Sequence, residues 1–212
     1  MIIGTVLGFL SFLFIPVFFL MGYLVRVLET TVSGAEQPPE FTDWGGLFVK
    51  GIVATVIGFA YAIVPTVVYT FIVFTLIGAG SAIGGDGGGL LAGMGFMTLL
   101  MYIPLMFLIL YIVPAALTNY AVNNSLGAAF DIGAIKPVVL SVDYLVAMLM
   151  PVVLAILVNI VAGFLAITLI GLLLVPFLYF YTYVAVFRMY GVAFANTSQT
   201  GGRAANATVS AH

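Results

Sequence analysis

The chain contains no cysteine among its 212 residues. That excludes disulfide frameworks, thiolate metal sites and cysteine nucleophiles. Its one histidine is His212, the last residue, where chain ends fray. Zinc sites and imidazole acid–base chemistry are therefore poorly served, and no cofactor is expected. Charge is scarce as well. Five basic and seven acidic residues make up 6% of the chain, against about a quarter in a water-soluble domain. There is no basic stripe for nucleic acid and no polybasic cluster for anionic lipid.

What is present is long apolar sequence. No charged side chain occurs in residues 1–25, 51–85, 87–130 or 144–187. About 20 apolar residues cross a bilayer's hydrocarbon core, so the last run alone holds enough for two crossings. The composition is that of an integral membrane protein. The first run lacks the preceding Lys or Arg and the following small-x-small site of a cleaved signal, and it exceeds the usual apolar region of about 7–15 residues. It reads as a retained spanning helix.

Within lipid every backbone polar group must be satisfied inside the segment or in a closed barrel. Barrel strands alternate apolar and polar side chains, whereas these runs are apolar on both faces, so the expected class is all-α. The pattern predicts a polytopic helix bundle with about five crossings, at 3–25, 51–77, 93–117, 144–163 and 171–191. Residues 1–195 form the membrane domain. The tail 196–212, rich in Gly, Ala, Ser, Thr and Asn, reads as disordered. Pro38-Pro39 stops any helix through 30–42, and Pro104 and Pro114 predict kinks in the third crossing. The Gly-rich stretch 78–89 lacks the strand and the Gly-Lys-Ser/Thr ending of a phosphate-binding loop, so a loose connector is expected. A tight turn should fall near 163–171.

With five crossings, Arg26, Lys50, Lys136, Arg188 and Arg203 all lie on one side. The positive-inside rule makes that side cytoplasmic, with the N-terminus external and the C-terminus cytoplasmic. A re-entrant first segment, bent at Pro16, would reverse the N-terminus. Two cytoplasmic segments share an order of residues: Phe41, Asp43, Gly45 and Lys50, then Phe130, Asp131, Gly133 and Lys136. This fits a parallel helix–amphipathic–helix repeat, a pattern that membrane composition also produces without duplication.

Ionisable residues deep in a membrane mark function, and here all charges lie at the ends of crossings or in loops. Polar residues inside crossings are Ser11, Thr55, Tyr61, Thr66, Tyr69, Thr70, Asn159 and Thr168. Asn159, mid-crossing, predicts a helix–helix hydrogen bond, with solute contact as the alternative. Asp43, Trp44, Gly45 and Lys50 are the candidate interfacial hinge: Asp43 caps the second helix and Trp44 sits at headgroup depth. An ordinary solvated loop is the competing reading. Asp131 and Lys136 are candidates for a cytoplasmic docking or gating element together with Asp43 and Lys50, against a simple surface ion pair. Phe177, Tyr179, Phe180, Tyr181, Tyr183 and Phe187 suggest an anchoring belt with core packing. Gly4 and Gly8 make a short Gly-x-x-x-Gly pair suited to close helix contact.

Several of these stretches together resemble an uncharacterised archaeal family of multi-pass membrane proteins, known as domain of unknown function 4013. The residues are Gly22-Tyr23-Leu24-Val25-Arg26-Val27-Leu28 and Pro39-Glu40-Phe41-Thr42-Asp43-Trp44-Gly45-Gly46-Leu47-Phe48. The likeness continues in Leu126-Gly127-Ala128-Ala129-Phe130-Asp131, Ser141-Val142-Asp143-Tyr144-Leu145 and Arg188-Met189-Tyr190-Gly191, covering nearly all but the tail. Two departures are the start inside the first apolar run, without a short polar lead-in, and Asn123-Asn124 where charged residues are usual. The resemblance implies an archaeal cell-membrane protein and brings no catalytic residues.

The functional expectation is a non-enzymatic scaffold or interaction subunit. A permease or channel-like subunit for a small or apolar solute is the alternative. An enzyme is disfavoured, since no paired-carboxylate, His or Cys constellation is visible and Ser11 has no evident base. The expected partners are the lipid bilayer and either another membrane protein or a second copy of the chain, with no nucleic acid.

Overall fold

The structure, a computed structural model, describes Ile3 and residues 15–209, with side chains as far as 198. Gly4, Gly8 and Ser11 lie outside the described residues. The elements are α1 (Ile15–Val32), α2 (Trp44–Ile83), α3 (Gly85–Asn123), a short 3-10 turn (Leu126–Phe130), α4 (Ile132–Val139), α5 (Val142–Ala166) and α6 (Leu169–Val209). The described residues contain no strand. Five stretches are long and apolar enough to cross a membrane: α1, α2, α3, α5 and Leu169–Ser198 of α6.

Several boundaries differ from expectation. The first helix continues to Val32, and within its last turns Thr30 returns its hydroxyl to Arg26 O and Val27 O, at 3.0 and 3.2 Å. The Gly-rich connector shrinks to Gly84, with helix on both sides. Gly84 and Gly85 have φ of +66° and +60°, a region that glycine enters without a Cβ penalty. The turn between α5 and α6 falls at Ile167 and Thr168, where Thr168 Oγ1 accepts from Gly171 N at 2.9 Å. The last helix runs on to Val209, through the region whose composition reads as a tail. The first turn of that region is packed: Thr197 Oγ1 donates to Ser141 Oγ at 3.1 Å.

Two compact units share the chain, one made of residues up to Ile57 and from Pro114 onward, the other of Gly58–Val113. The first unit packs α1 against α2 and α6, and α5 against α6. Its core joins Tyr23, Leu24 and Val27 of α1, Leu47 of α2, and Phe180 and Val184 of α6. Glycines set the spacing. A Cβ on Gly22 would lie 1.7 Å from Leu47 O, and one on Gly51 would lie 1.7 Å from Phe18 O. The α1 and α2 backbones therefore touch at two levels.

The second unit is a helical hairpin. A Cβ on Gly88 would lie 2.4 Å from Gly80 O, and one on Gly95 would lie 2.6 Å from the Ile77 side chain. Here glycine serves close helix approach, the usual use of small residues between spanning helices. Further along, Tyr69 and Tyr102 pack with ring centroids 5.3 Å apart, and the Thr66 and Tyr102 hydroxyls stand 3.5 Å apart.

Candidate functional site at the loop end of the first unit

The loop between α1 and α2 is fixed by chemistry that starts at Asp43. Its φ is +54°, a left-handed conformation that Asp tolerates better than most residues. Its Oδ1 accepts from Gly46 N at 3.1 Å, satisfying one of the donors that a helix start leaves without intrahelical partners. Its Oδ2 accepts from Arg26 NH2 at 3.1 Å, while Arg26 NH1 donates to Thr42 O at 2.6 Å. The carboxylate can bridge helix start and guanidinium because position 46 is glycine, where a Cβ would meet Oδ2 at 2.1 Å. Gly45, the neighbouring candidate, faces open space. Gly46, and not Gly45, is thus the glycine that this carboxylate arrangement requires.

Aromatic packing holds the same loop. Phe41 stacks on Tyr23 with ring centroids 3.9 Å apart and planes 4° apart, and Tyr23 Oη donates to Pro39 O at 3.0 Å. Trp44, 43% exposed, meets Phe19 edge-on at 5.5 Å. Lys50 pairs with Glu29, and Arg188 of α6 donates to Ala35 O at 3.1 Å. Three of the basic residues are thereby engaged with the chain's own loop and helix ends.

Asp131 and Lys136 play other parts. Asp131 caps α4, its Oδ1 accepting from Ala134 N at 3.2 Å, and Lys136 lies in the last turn of that helix. The ion pairs found among the described residues are Arg26–Asp43 and Lys50–Glu29. The structure does not join Asp131 or Lys136 to Asp43 or Lys50. Asn159 Oδ1 accepts from Tyr179 Oη at 2.9 Å, and its amide nitrogen donates to Ala155 O at 2.8 Å. This links α5 to α6 on an exposed face. The aromatic run of α6 divides: Phe180 is buried, whereas Tyr181 and Tyr183 are exposed. Among the described residues no group of three His, Asp or Glu side chains is placed to hold a metal ion.

Sequence reasoning passed over two further residues. Tyr144 is fully buried, and its Oη accepts from Ala115 N at 3.1 Å, directly after Pro114. Asn119, 4% exposed, donates to Ala128 O at 2.7 Å and so ties the 3-10 turn to α3. A tyrosine or an asparagine beside a proline-broken apolar run was the available signal.

A graded pair of substitutions tests the Asp43 geometry. Asp43→Ala removes the cap, worth about 0.5–2 kcal/mol, and puts a Cβ-bearing residue without local hydrogen bonding at a left-handed position, costing about 1–2 kcal/mol. Asp43→Asn keeps the cap and tolerates that conformation, losing only an exposed ion pair of under about 1 kcal/mol. In detergent melts Ala should unfold well below Asn, and Asn close to wild type. Equal midpoints for Ala and Asn would remove the cap from the account.

No curated protein and no solved structure matches the chain. A model of a family described as a protein of unknown function, DUF4013, matches residues 9–167. The match takes in the Gly22, Asp43-Trp44-Gly45, Asp131 and Ser141 stretches, and it ends before Arg188-Met189-Tyr190-Gly191. With its five helices long and apolar enough to span a bilayer, this is a multi-pass membrane protein, and it belongs to the DUF4013 family.

Proposed function

We propose that the protein is a non-enzymatic scaffold or interaction subunit of the cell membrane, with its N-terminus outside and its C-terminus in the cytoplasm. The observation that carries this reading is that the polar groups at the start of α2, α4 and α5 and beside the α1–α2 loop serve the chain's own architecture. Asp43, Arg26, Glu29, Lys50, Asp131 and Ser141 cap helices or pair with one another, and Asn159 bridges two helices. What remains is broad exposed apolar surface on α2, α3 and α5, suited to lipid, to another membrane protein or to a second copy of the chain.

One observation favours a permease for a small solute instead. Tyr69 carries a buried hydroxyl without a hydrogen-bond partner in the structure, beside the Thr66–Tyr102 hydroxyl pair of the second unit. Reconstitution separates the readings. Proteoliposomes holding the purified chain should be no leakier to protons, sodium or glycerol than empty vesicles. Saturable flux that Tyr69→Phe reduces would reject the scaffold reading.

The orientation has its own test, helped by the absence of native cysteine. Ser81→Cys, at the α2–α3 hairpin, should react with an impermeant maleimide on intact cells. Ser33→Cys and Ser198→Cys should react only after permeabilisation. The expectation rests on the placement of Arg26, Lys50, Lys136 and Arg188 at the opposite ends of the spans. Labelling of Ser198→Cys from outside would reverse the topology.

A further inference from the structure

Where α3, α4 and α6 converge in the first unit there is an open cleft of about 790 Å³. Its fixed point is the buried amide of Asn119, whose Oδ1 and backbone carbonyl both accept from Asn123 Nδ2 at 2.9 Å. Asn123, Ser125, Asp131 and Ser198 line it, alongside Pro137 and Phe194. Among the described lining residues Asp131 is the one that carries charge. One of its carboxylate oxygens caps α4, and the side chain is exposed.

We propose that this cleft binds an organic ammonium group on an apolar stem, with Asp131 as its counter-charge. A single carboxylate among oxygen-bearing side chains, with no cation among the described lining residues, favours a positively charged donor over an anion. The size argues against a bare metal ion, which needs about 6–8 oxygens at roughly 2.3–2.6 Å. It suits an organic group, since small-molecule clefts run from about 300 to 1,000 Å³. The mixed lining matches an amphiphile: the Asp131 carboxylate and its polar neighbours for the head, Phe194 and Pro137 for the first carbons of the stem. The cleft also stands at the ends of two spanning helices, so the head can sit in it while the stem reaches the bilayer. An aminolipid headgroup and a free alkylamine present the same chemistry. This inference is independent of the scaffold reading, which concerns the exposed apolar faces.

The test uses the full chain in detergent, with hexylamine as the probe and hexanol as the same stem without the charge. Hexylamine should raise the melting midpoint in a saturable way and hexanol should not. Asp131→Asn should weaken hexylamine at least 10-fold while leaving the unliganded midpoint near wild type, because Asn caps a helix about as well as Asp. Should that variant fold poorly, Ser198→Leu, which fills the cleft without touching the cap, should give the same loss. Native mass spectrometry from mixed lipid separates the two sources: retained phosphatidylethanolamine over phosphatidylglycerol, lost in Asp131→Asn, identifies the lipid headgroup. Equal stabilisation by hexylamine and hexanol overturns the proposal, as does unchanged hexylamine binding in both variants. So does the absence of both hexylamine and phosphatidylethanolamine binding.

Discussion

Alanine at Gly22 or at Gly51 is expected to break the contact between α1 and α2 and to lower the melting midpoint sharply. At each position the new Cβ would sit 1.7 Å from a backbone carbonyl oxygen of the opposite helix, Leu47 O or Phe18 O. A flexible side chain could swing away, whereas a carbonyl inside a helix cannot, so the helices must move apart. Their separation would loosen Val27 and Leu47, both fully buried, and the Phe41–Tyr23 stack that holds the loop. Overpacking costs about 1–3 kcal/mol in soluble cores and occasionally more. A backbone clash at this distance belongs at the upper end, which is a factor of ten or more in the folding equilibrium constant. Between spanning helices there is little hydrophobic force to offset the loss, because lipid is as apolar as leucine. The double variant should be less than additive, since both changes abolish one interface. Gly45→Ala and Gly58→Ala are the controls, both facing open space and both without positive φ. They should melt at or slightly above wild type. Wild-type melting of Gly22→Ala and Gly51→Ala would show that the close approach is not what holds α1 to α2.

These glycines illustrate which parts of the molecule are legible in sequence. The helical class and the approximate crossings follow from uncharged runs, which need no knowledge of partners. The start of α2 is local too, because an Asp followed three residues later by a glycine N–H is chemistry between neighbours. What depends on distant residues stays hidden. Gly22 looks like any glycine in an apolar run until Leu47 lies against it. Asp43 shows no sign in sequence of Arg26, and Asp131 with Lys136 suggests a pair when the carboxylate is in fact the α4 cap. The stretch 78–89 misleads for a related reason. In water a glycine tract is a loose linker, but in lipid an open backbone is costly, so helix continues to Gly84 and the glycines let the hairpin close. Thr31 and Thr197 read as loop and tail, yet Thr31 is buried near Gly191, where a Cβ would meet its side chain at 2.9 Å. Thr197 in turn bonds Ser141.

Removing one oxygen from Tyr144 should have the second large effect. Pro114 has no N–H and disturbs the α3 ladder, and the next donor, Ala115 N, is met by Tyr144 Oη of α5 at 3.1 Å. Ala115 and Tyr144 are both fully buried, so water cannot take the hydroxyl's place. Tyr144→Phe preserves the ring and its packing toward Tyr190, 6.5 Å away between centroids. The loss is therefore that of a polar contact in a buried site, about 1–3 kcal/mol. Interhelical hydrogen bonds in membranes average only about 0.6 kcal/mol, because the unfolded chain finds other partners there. The larger figure applies here because the donor left behind is a buried backbone N–H directly after a proline. A lower melting midpoint and faster amide exchange at Ala115 are expected together. Pro114→Ala supplies the discriminating arm. By restoring an N–H and the regular ladder it should recover much of the loss in the Tyr144→Phe background while changing the wild type less. If the phenol only fills space, Tyr144→Phe will melt with wild type, Ala115 exchange will not change, and Pro114→Ala will act alike in both backgrounds.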